Sequence, residues 1–397
     1  MKILHTSDLH LGKRWRGTPL LDDQDRVLSE VLGLCEKHGV DMLLVTGDVF
    51  SDRVDGNKPA DIARHFLKRL HEPLGRGRSV FLLRGNHDPF DLFGLLSFMM
   101  TEILGKDSLP LVVANLPGIY EIPGQSLQVV ALPYLPPAWL RMQPFAVNVT
   151  PDEQVAQLSG LLSLQLQHLY SGVPSAAPTI FAGHVLISGA QLTEDLEFES
   201  GYHRELWLHP SDLPQFTSYN ALGHIHLSQE IRGAGKPSWY AGAPDRLDLG
   251  EREYQPQVLL VTTPDTPGGI ATVEPIHLTA CTRWILEELH GLEDVERFCT
   301  TVNASNPIGE VVVADVPVAY RGAIEDHIRD VAPRVRVRWM MEALLDVEQG
   351  SDGPDPHDVY GTVRAYLERA FSQDADCRAR LEAAFESLWS ESSEVSA

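Results

Sequence analysis

The chain has 397 residues, 43% of them hydrophobic and 22% charged, which leaves room for two or three globular units. No stretch approaches the roughly 20 uninterrupted apolar residues that a membrane-spanning helix needs, and Asp8 interrupts the N-terminus before a signal-peptide core could form. We therefore expect a cytoplasmic protein. The net charge of −23 excludes a generally basic, nucleic-acid-coating surface.

The uneven charge and the cysteines limit where phosphate or metal could bind. Residues 1–89 carry 14 Lys and Arg against 13 Asp and Glu, whereas residues 342–397 carry 4 against 13. We expect phosphate contacts in the nearly neutral N-terminal region, where bound divalent cations would add positive charge. The 4 cysteines are too scattered for a thiolate zinc site, so a metal here must be held by His, Asp and Asn.

The first hundred residues alternate short apolar runs with amphipathic stretches. The apolar runs predict strands at residues 3–6, 42–46 and 80–83, and the amphipathic stretches predict helices at residues 22–38 and 59–72. This β-α-β-α-β order implies mostly parallel strands with helices packed outside the sheet.

Beyond residue 110 the predicted strands become more frequent and the helices scarcer. Apolar runs predict strands at residues 111–114, 127–131, 179–182, 219–222, 239–241 and 258–261. A helix is predicted among them at residues 152–170. This balance favours two packed sheets, so the fold that we predict for residues 1–280 is a four-layer αββα sandwich, of the α/β class.

The pattern changes near residue 281. Strand-like and helical patterns alternate from there and predict a small α+β unit over residues 281–346. Residues 347–356 are rich in Gly, Pro and Asp, which is typical of a linker. Residues 357–397 carry two amphipathic helical stripes that are too short for independent stability. We therefore predict that this C-terminal helical segment docks on another protein.

Five short polar motifs each follow an apolar, strand-like run. They are Asp8-Leu9-His10, Gly47-Asp48, Gly85-Asn86-His87-Asp88, Gly183-His184 and Gly223-His224-Ile225-His226. In open α/β folds the carboxyl ends of the strands gather along one edge, where ligands bind. Glycine before a polar residue permits a sharp turn and a close approach of the backbone. We therefore expect these distant residues to converge on one site.

The residue types in these motifs suit two adjacent divalent cations. Carboxylate and amide oxygens are hard ligands, and imidazole suits metals such as manganese, iron and zinc. A carboxylate can bridge two ions, and Asp48, central in the series, is our candidate. Two such ions can activate water near neutral pH and polarise a phosphodiester. His87 is then suited to protonate the departing oxygen, with Asp88 available to orient it.

Each motif taken singly carries little information. Asp-x-His is common, Gly-His alone is almost meaningless, and Asn-His-Asp could form only a turn. All five occur in order at strand ends, and their side chains are of the types that ligate metals. Coincidence is therefore a poor explanation of the whole set.

The ordered set of motifs resembles that of the calcineurin-like metallophosphoesterase superfamily, which includes protein phosphatases, nucleotidases, cyclic-nucleotide phosphodiesterases and DNA nucleases. A narrower resemblance comes from residues 4–13, Leu-His-Thr-Ser-Asp-Leu-His-Leu-Gly-Lys, and residues 240–246, Tyr-Ala-Gly-Ala-Pro-Asp-Arg, with Gly250-Glu251 shortly after. These stretches are similar to the SbcD family of nuclease subunits, which act with SbcC-type ATPases.

The resemblance implies a set of ligands. One metal would take Asp8, His10, Asp48 and His226, and the other would take Asp48, Asn86, His184 and His224. His87 would be the catalytic histidine, and two Mn²⁺ ions would be the preferred cofactors. Some relatives carry a second active-site histidine three residues beyond the bridging aspartate, where this chain has Ser51.

The resemblance also implies a reaction and partners. The protein would be a 3′–5′ double-strand exonuclease and a single-strand and hairpin endonuclease, acting at the nucleoid in DNA double-strand break repair and recombination. Residues 281–346 would be a capping domain that recognises DNA. Residues 357–397 would bind an ABC/SMC-like ATPase of the SbcC type.

Basic residues near the motifs are candidates for contacts to double- and single-stranded DNA. They are Lys13, Arg14, Arg16, Arg53 and Arg246. Basic side chains beside the site could hold phosphates, although an ordinary solvated surface fits the same pattern. The sequence leaves these two interpretations open.

Residues 91–104 are apolar on nearly every face. This pattern fits either a helix buried within a large core or a helix at a subunit interface. Relatives dimerise through helices in this region, so the resemblance favours a homodimer that uses this helix and the one at residues 59–72.

Two other functions stay open on the sequence alone. The same metal site could act on small phosphodiesters or phosphoproteins, but such substrates need neither the additional unit nor the terminal helices. The chain could instead be a catalytically idle scaffold for the ATPase. All seven proposed ligands and His87 are present, which counts against that alternative.

Overall fold

The computed structural model describes residues 1–51, 59–75, 77–103, 110–136, 150–174, 177–192, 205–302 and 306–340, together with Ala379. The chain divides into two compact units, Met1–Trp339 and Met340–Ala397. Of the second unit only Met340 and Ala379 are described, so the predicted linker and C-terminal helices lie outside the described residues. Arg53 also lies outside them.

The elements below are those of the described residues, in chain order. The strands are β1 (Lys2–Thr6), β2 (Arg14–Trp15), β3 (Thr18–Pro19), β4 (Met42–Val45), β5 (Ser79–Leu83), β6 (Leu111–Ala114), β7 (Gly118–Glu121), β8 (Gln128–Leu132), β9 (Thr179–His184), β10 (Leu186–Ile187), β11 (Trp207–Leu208), β12 (Asn220–Gly223), β13 (Gln229–Glu230), β14 (Ser238–Tyr240), β15 (Gln257–Thr262), β16 (Thr272–His277), β17 (Trp284–His290), β18 (Ile308–Ala314) and β19 (Val335–Trp339). The helices are α1 (Leu21–Lys37), α2 (Pro59–Gly75), α3 (Phe90–Phe98), α4 (Pro151–Ser171), α5 (Gly291–Thr301) and α6 (Val318–Val331).

Two six-stranded sheets make up most of the first unit. The first has the order β16-β15-β1-β4-β5-β6, in which β1, β4, β5 and β6 are parallel and β15 and β16 are antiparallel additions. The second has the order β13-β14-β12-β9-β8-β7, with four parallel strands flanked by antiparallel edges. The predicted parallel α/β architecture is confirmed.

The two sheets pack face to face, with helices on their outer faces. Ile3 and Leu44 of the first sheet share one core with Ala182 of the second, whereas the alternate residue Leu4 faces the helices. On the other side, α4 packs on the outer face of the second sheet. Because the central strands of each sheet are covered on both faces, most of their residues are apolar, as the sequence pattern predicted.

Local chemistry marks the end of α1 and the beginning of α4. In α1 the buried side chains recur at helical spacing, and Gly39, just beyond the helix, adopts a φ of +59°. Helix α4 begins with a capping box, in which Thr150 and Glu153 satisfy each other's backbone N–H groups and Pro151 takes the first helical position.

Helix α3 is apolar on two sides but buried on only one. Phe93 is fully buried in the core, whereas Phe90, Leu95 and Phe98 are more than half exposed. A π-helical turn, Met99–Ile103, continues the helix and adds further exposed apolar surface. The alternative of a helix buried wholly within the core of this chain was therefore wrong.

A third sheet follows the sandwich. Strands β17, β18 and β19 are all parallel and are joined by α5 and α6, so that strands and helices alternate as predicted. Phe298 of α5 and Ile324 and Ile328 of α6 pack on Val311 in a core of their own. These five elements form a βαβαβ arrangement within the region predicted as α+β.

The third sheet contacts the sandwich through an aromatic pair and a buried ion pair. The rings of Trp15 and Trp284 meet edge to face, with centroids 5.1 Å apart. Asp23 of α1 is 2% exposed and accepts hydrogen bonds from Arg334, Thr282 and Arg26. Although burial opposes it, these donors lower the pKa of Asp23. The carboxylate is therefore charged at neutral pH and ties the third sheet to α1.

Three strands of the two six-stranded sheets, β7, β13 and β16, were not predicted. Strand β16 has the polar sequence Thr-Val-Glu-Pro-Ile-His and lies at an edge, where one side faces solvent. Strand β7, at the edge of the second sheet, contains Gly and Glu at its ends. Edge strands need less burial than central ones, so their apolar signal is weak. No helix of the described residues is long and apolar enough to cross a membrane.

We predict that Arg334→Ala lowers the free energy of unfolding by about 2 kcal/mol at pH 7, because a buried carboxylate loses a charged donor. The difference from the wild type should shrink as the pH falls through the acidic range, since protonation of Asp23 removes the same interaction in the wild type. Thermal unfolding at several pH values measures this. Arg329→Ala, which removes an exposed pair with Asp326, is the matched control and should change little. A difference that stays constant down to acidic pH would contradict the assignment.

Candidate metal centre

The five polar motifs meet at the carboxyl edges of the two sheets. Asp8 and His10 follow β1, and Asp48 follows β4. Asn86 follows β5, and from the second sheet His184 ends β9 while His224 and His226 follow β12. The loops after β1 and β4 run side by side, with hydrogen bonds from Asp8 N to Gly47 O and from His10 N to Asp48 O. The predicted convergence of the motifs is thus seen in the structure.

One group of side chains lies around His10. The Nε2 atoms of His10 and His226 are 3.2 Å apart, and Asp8, His10 and His226 form one cluster able to hold a metal ion. Two histidine nitrogens that face each other at this distance are suited to a shared cation. The carboxylate of Asp8 also accepts the backbone N–H of His224, at 3.2 Å.

Asp48 lies between this group and a second one. Its Oδ2 atom is 3.6 Å from His10 Nε2 and 3.4 Å from His184 Nε2. Asp8, Asp48 and His184 form another cluster able to hold a metal ion. One carboxylate therefore faces both groups, which is the position that a bridging ligand requires.

Asn86 belongs to the second group. Its Oδ1 atom is 2.8 Å from His184 Nε2 and 3.1 Å from His224 Nδ1. An amide oxygen and two imidazole nitrogens thus converge near the carboxylate of Asp48. This mixed nitrogen and oxygen donor set fits a divalent cation such as Mn²⁺, Fe²⁺ or Zn²⁺.

The backbone of several of these residues is strained. Asp8, His10 and Asp48 have φ angles of 52°, 42° and 50°, and that of His224 is 104°. Positive φ angles are uncommon for residues other than glycine and are costly when they occur. Four members of the site therefore adopt conformations that the surrounding fold has to impose.

Two glycines allow the loops to approach each other. A Cβ atom on Gly47, whose φ is 104°, would overlap the ring of His184. A Cβ atom on Gly85 would overlap the side chain and the backbone nitrogen of Asp48. The glycine that precedes the polar residue in these motifs is thus required by the space around the site.

The electrostatics of the site favour cations. Burial alone would raise the pKa of Asp48, but His184 and His10 hold it well below its usual range. Burial would lower the pKa of His184, yet Asp48 raises it to about 9. For Asp8, burial outweighs the neighbouring histidines and raises the pKa. Buried carboxylates of this kind need positive charge close by, which a divalent ion supplies.

His87 and Asp88 lie beside this centre. The backbone N–H of His87 donates to Asp48 Oδ1 at 2.8 Å, and its ring is edge to face with that of His10 at 4.8 Å between centroids. Both oxygens of Asp88 accept backbone N–H groups, from Phe50 and from Gly85, at 2.8 Å. Asp88 therefore holds two of the site's loops together. Its predicted role in orienting His87 stays a prediction.

The basic residues near the motifs have unequal surroundings. Arg16 pairs with Glu310 of the third sheet, and Arg246 donates to the carbonyl of Thr282 at 3.1 Å. Arg14 is exposed and donates to Gly17 O at 2.6 Å, and Lys13 is partly buried. A DNA contact by Arg16 or Arg246 would therefore compete with an internal contact.

Three polar side chains whose roles the sequence did not indicate form hydrogen bonds to histidines of the site or to the loop after β1. Glu251 and Glu205 each contact a histidine of the site, at 2.6 Å from His226 and His224 respectively. Gln24 of α1 accepts from Gly12 N and donates to the carbonyls of Leu9 and His10. Only Gly250-Glu251 had been noted, as a point of resemblance, and no spacing signal indicated the others.

Comparison with known proteins agrees with these observations. Residues 1–144 match the calcineurin-like phosphoesterase family. The D component of the SbcCD nuclease from Bacillus subtilis is 29% identical over 290 residues, which cover 70% of this chain and 70% of the relative. Its counterpart in Escherichia coli K12 is 27% identical over 288 residues, covering 70% of this chain and 68% of the relative. The DNA double-strand break repair protein Mre11 of Sulfurisphaera tokodaii is 24% identical over 358 residues, covering 85% of this chain and 80% of the relative.

Residues 1–144 are therefore similar to calcineurin-like phosphoesterases, and the chain is similar to SbcD and Mre11 proteins over most of its length. The predicted resemblance is confirmed. The match of the first 144 residues includes the motifs from Asp8 to Asp88.

We predict that Gly47→Ala reduces metal binding at least 10-fold, because the added methyl group displaces the ring of His184. Gly124→Ala is the matched control, since Gly124 also has a positive φ, of 72°, but has open space around its Cβ position. Both variants bear the backbone cost of about 1 kcal/mol, and only the first should lose metal. Equilibrium dialysis with Mn²⁺ measures the difference. Equal metal binding by both variants would contradict the packing argument.

Proposed function

We propose that this protein is a two-metal DNA nuclease that cleaves 3′–5′ from double-strand ends and cuts single strands and hairpins. The observation that carries the proposal is the pair of adjacent donor groups around Asp48, which faces His10 at 3.6 Å and His184 at 3.4 Å. Two-metal sites of this kind serve phosphatases, polymerases and nucleases. Among the substrates of such enzymes, similarity to SbcD and Mre11 proteins over more than two thirds of the chain favours DNA.

The proposed ligand sets follow the two groups of side chains. Asp8, His10, Asp48 and His226 would hold one ion, and Asp48, Asn86, His184 and His224 would hold the other. The donors are the same mixture of oxygen and nitrogen in both groups, so manganese is our choice for both. When bound, the ions would supply Lewis acidity toward the phosphodiester and lower the pKa of water.

The protein's own residues would orient the substrate and supply the proton. We assign to His87 the protonation of the departing oxygen, because its backbone is anchored to Asp48 and its ring lies against that of His10. Asp88 would support this step by fixing the loops that carry Phe50 and Gly85. General acid catalysis of this kind contributes about 10²–10⁴-fold to a rate.

DNA would approach across the loop that follows His10. Lys13 and Arg14 are our candidates for its phosphates, and Arg16, Arg53 and Arg246 are secondary candidates. The Arg16–Glu310 pair joins this loop to the third sheet, so DNA bound there would contact both. We propose on this ground that residues 281–346 form a capping domain that recognises DNA.

We propose two protein partners. Residues 357–397 would dock on an SbcC-type ABC/SMC-like ATPase, whose ATP hydrolysis would control access of DNA to the site. A second copy of the chain would pack on the exposed apolar side of α3 and its π-helical extension. The apolar stripe of α2, which includes Ile62 and Phe66, packs in the core, which leaves α3 as the surface for the dimer.

We predict that the wild-type protein cleaves end-labelled duplex and hairpin DNA in Mn²⁺, and that His87→Ala lowers the rate about 100-fold or more while bound metal persists. His168→Ala, at an exposed position of α4, is the matched control and should cleave normally. Gel assays of the products and metal analysis of the same samples measure both quantities.

Other outcomes of this experiment identify the alternatives. Hydrolysis of a nitrophenyl phosphodiester without any cleavage of DNA, even with the ATPase present, would favour a small-molecule phosphodiesterase. Metal binding without hydrolysis of either substrate would favour a scaffold. Full activity of His87→Ala would contradict the role of that residue and leave the metal site unaffected.

We predict that the protein is a dimer at micromolar concentration and that Leu95→Glu makes it a monomer, because a charge would be buried in the apolar interface. Leu95 is 56% exposed in the single chain, and Leu164 of α4 is 61% exposed. Leu164→Glu is therefore the matched control and should remain dimeric. Size-exclusion chromatography with light scattering measures the masses. A monomeric wild type would contradict the dimer.

A further inference from the structure

A buried carboxylate lies behind His226. Glu251 Oε1 is 2.6 Å from His226 Nδ1, and the whole residue is 3% exposed. The other ring nitrogen, Nε2, faces His10 Nε2 across 3.2 Å and so points into the metal centre. The second carboxylate oxygen of Glu251 accepts the N–H of Leu247 at 2.7 Å, which fixes the carboxylate itself.

The same arrangement recurs behind His224 with the ring nitrogens exchanged. Glu205 Oε2 is 2.6 Å from His224 Nε2, so that Nδ1 faces the centre at 3.1 Å from Asn86 Oδ1. The side chain of Glu205 is 17% exposed, so this carboxylate is largely buried as well. Each histidine thus has one nitrogen held by a carboxylate and the other directed at the site.

His184 provides an internal comparison. Its Nδ1 atom is 2.8 Å from the carbonyl oxygen of Thr46, a neutral group. A backbone carbonyl is therefore sufficient to orient a histidine here. The carboxylates beside His224 and His226 must contribute more than orientation. A carboxylate fixes the tautomer and also raises the basicity of the nitrogen that faces the metal.

We infer that Glu251 and Glu205 are positioning residues, each serving one metal ion: Glu251 acts through His226 on the ion that His10 shares, and Glu205 acts through His224 on the ion that Asn86 shares. This inference rests on the proposed two-metal site. Neither carboxylate takes part in the proposed proton transfer. Loss of one of these carboxylates should weaken the binding of one ion selectively.

The test is a Mn²⁺ titration of the metal-free full-length protein by calorimetry and equilibrium dialysis. The wild type should bind two ions. Glu251→Gln and Glu205→Gln keep the size of the side chain but remove its charge, and each should weaken the binding of one ion 10- to 100-fold. Glu253→Gln, whose side chain is 87% exposed, is the matched control and should bind both ions normally.

Combination with a ligand variant identifies which ion each glutamate serves. Asn86→Ala removes a ligand of one ion only. In the double variant with Glu205→Gln, the other ion should still bind with full affinity. In the double variant with Glu251→Gln, the affinity for that other ion should fall as well. Electron paramagnetic resonance of the bound Mn²⁺ separates paired from single ions and does not depend on activity.

The outcomes separate this inference from the proposed function. A wild type that binds no Mn²⁺ would overturn the two-metal site, and with it this inference. A wild type that binds two ions, with both Gln variants unchanged, would overturn the inference alone. Equal weakening of both ions by either variant, with lowered thermal stability of the metal-free protein, would indicate a structural role and also overturn it.

Discussion

The concentration of buried negative charge at the carboxyl edges of two sheets is the constraint on which the rest of this structure depends. Asp8 and Asp48 are almost completely buried, and burial of a carboxylate is costly unless positive charge lies close by. The histidines that supply the nearest positive charge come largely from the other sheet. The two sheets therefore have to be aligned with their carboxyl edges together.

Several features of the sandwich serve that alignment. The loops after β1 and β4 continue the ladder of the sheet beyond its last residues, through His10 and Leu11. Asp88 joins the loops after β4 and β5, and Gln24 holds the first loop from the side of α1. The positive φ angles of the proposed ligands show that the backbone preferences of these residues alone would not produce this arrangement. Packing of the whole sandwich supplies the energy that keeps the site in this arrangement.

The sequence predicted the central strands, the helices and the convergence of the motifs because each has a local signal. Strands such as Met42–Val45 are apolar throughout, and α1 repeats its apolar side chains at helical spacing. The strained backbone of Asp8 and His10 has no such signal, since neither residue type marks a positive φ angle in the way that glycine does. The contacts of Glu205 and Glu251 were not predicted for a related reason: each meets its histidine only after the chain has folded, and the local sequence around a glutamate does not indicate such a partner.

The exposed side of α3 illustrates a different limit of prediction from sequence. Its sequence, apolar all round, fits burial in a core and burial against another chain equally well. The fold decides how much of the helix one chain can cover, and it covers Phe93 while leaving Phe98 53% exposed. Patterns in one sequence record that a surface is apolar, but not which molecule covers it.

The short backbone segment after His10 has a mechanical consequence. Trp15, five positions after His10, is buried against Trp284 at the start of the third sheet, and Arg16 pairs with Glu310 within that sheet. The hydrogen bond from Lys13 N to His10 O closes a tight turn between the two points. A displacement of the third sheet would therefore reach the backbone of His10 through a few residues only, so this segment couples the position of that sheet to the geometry of the metal centre.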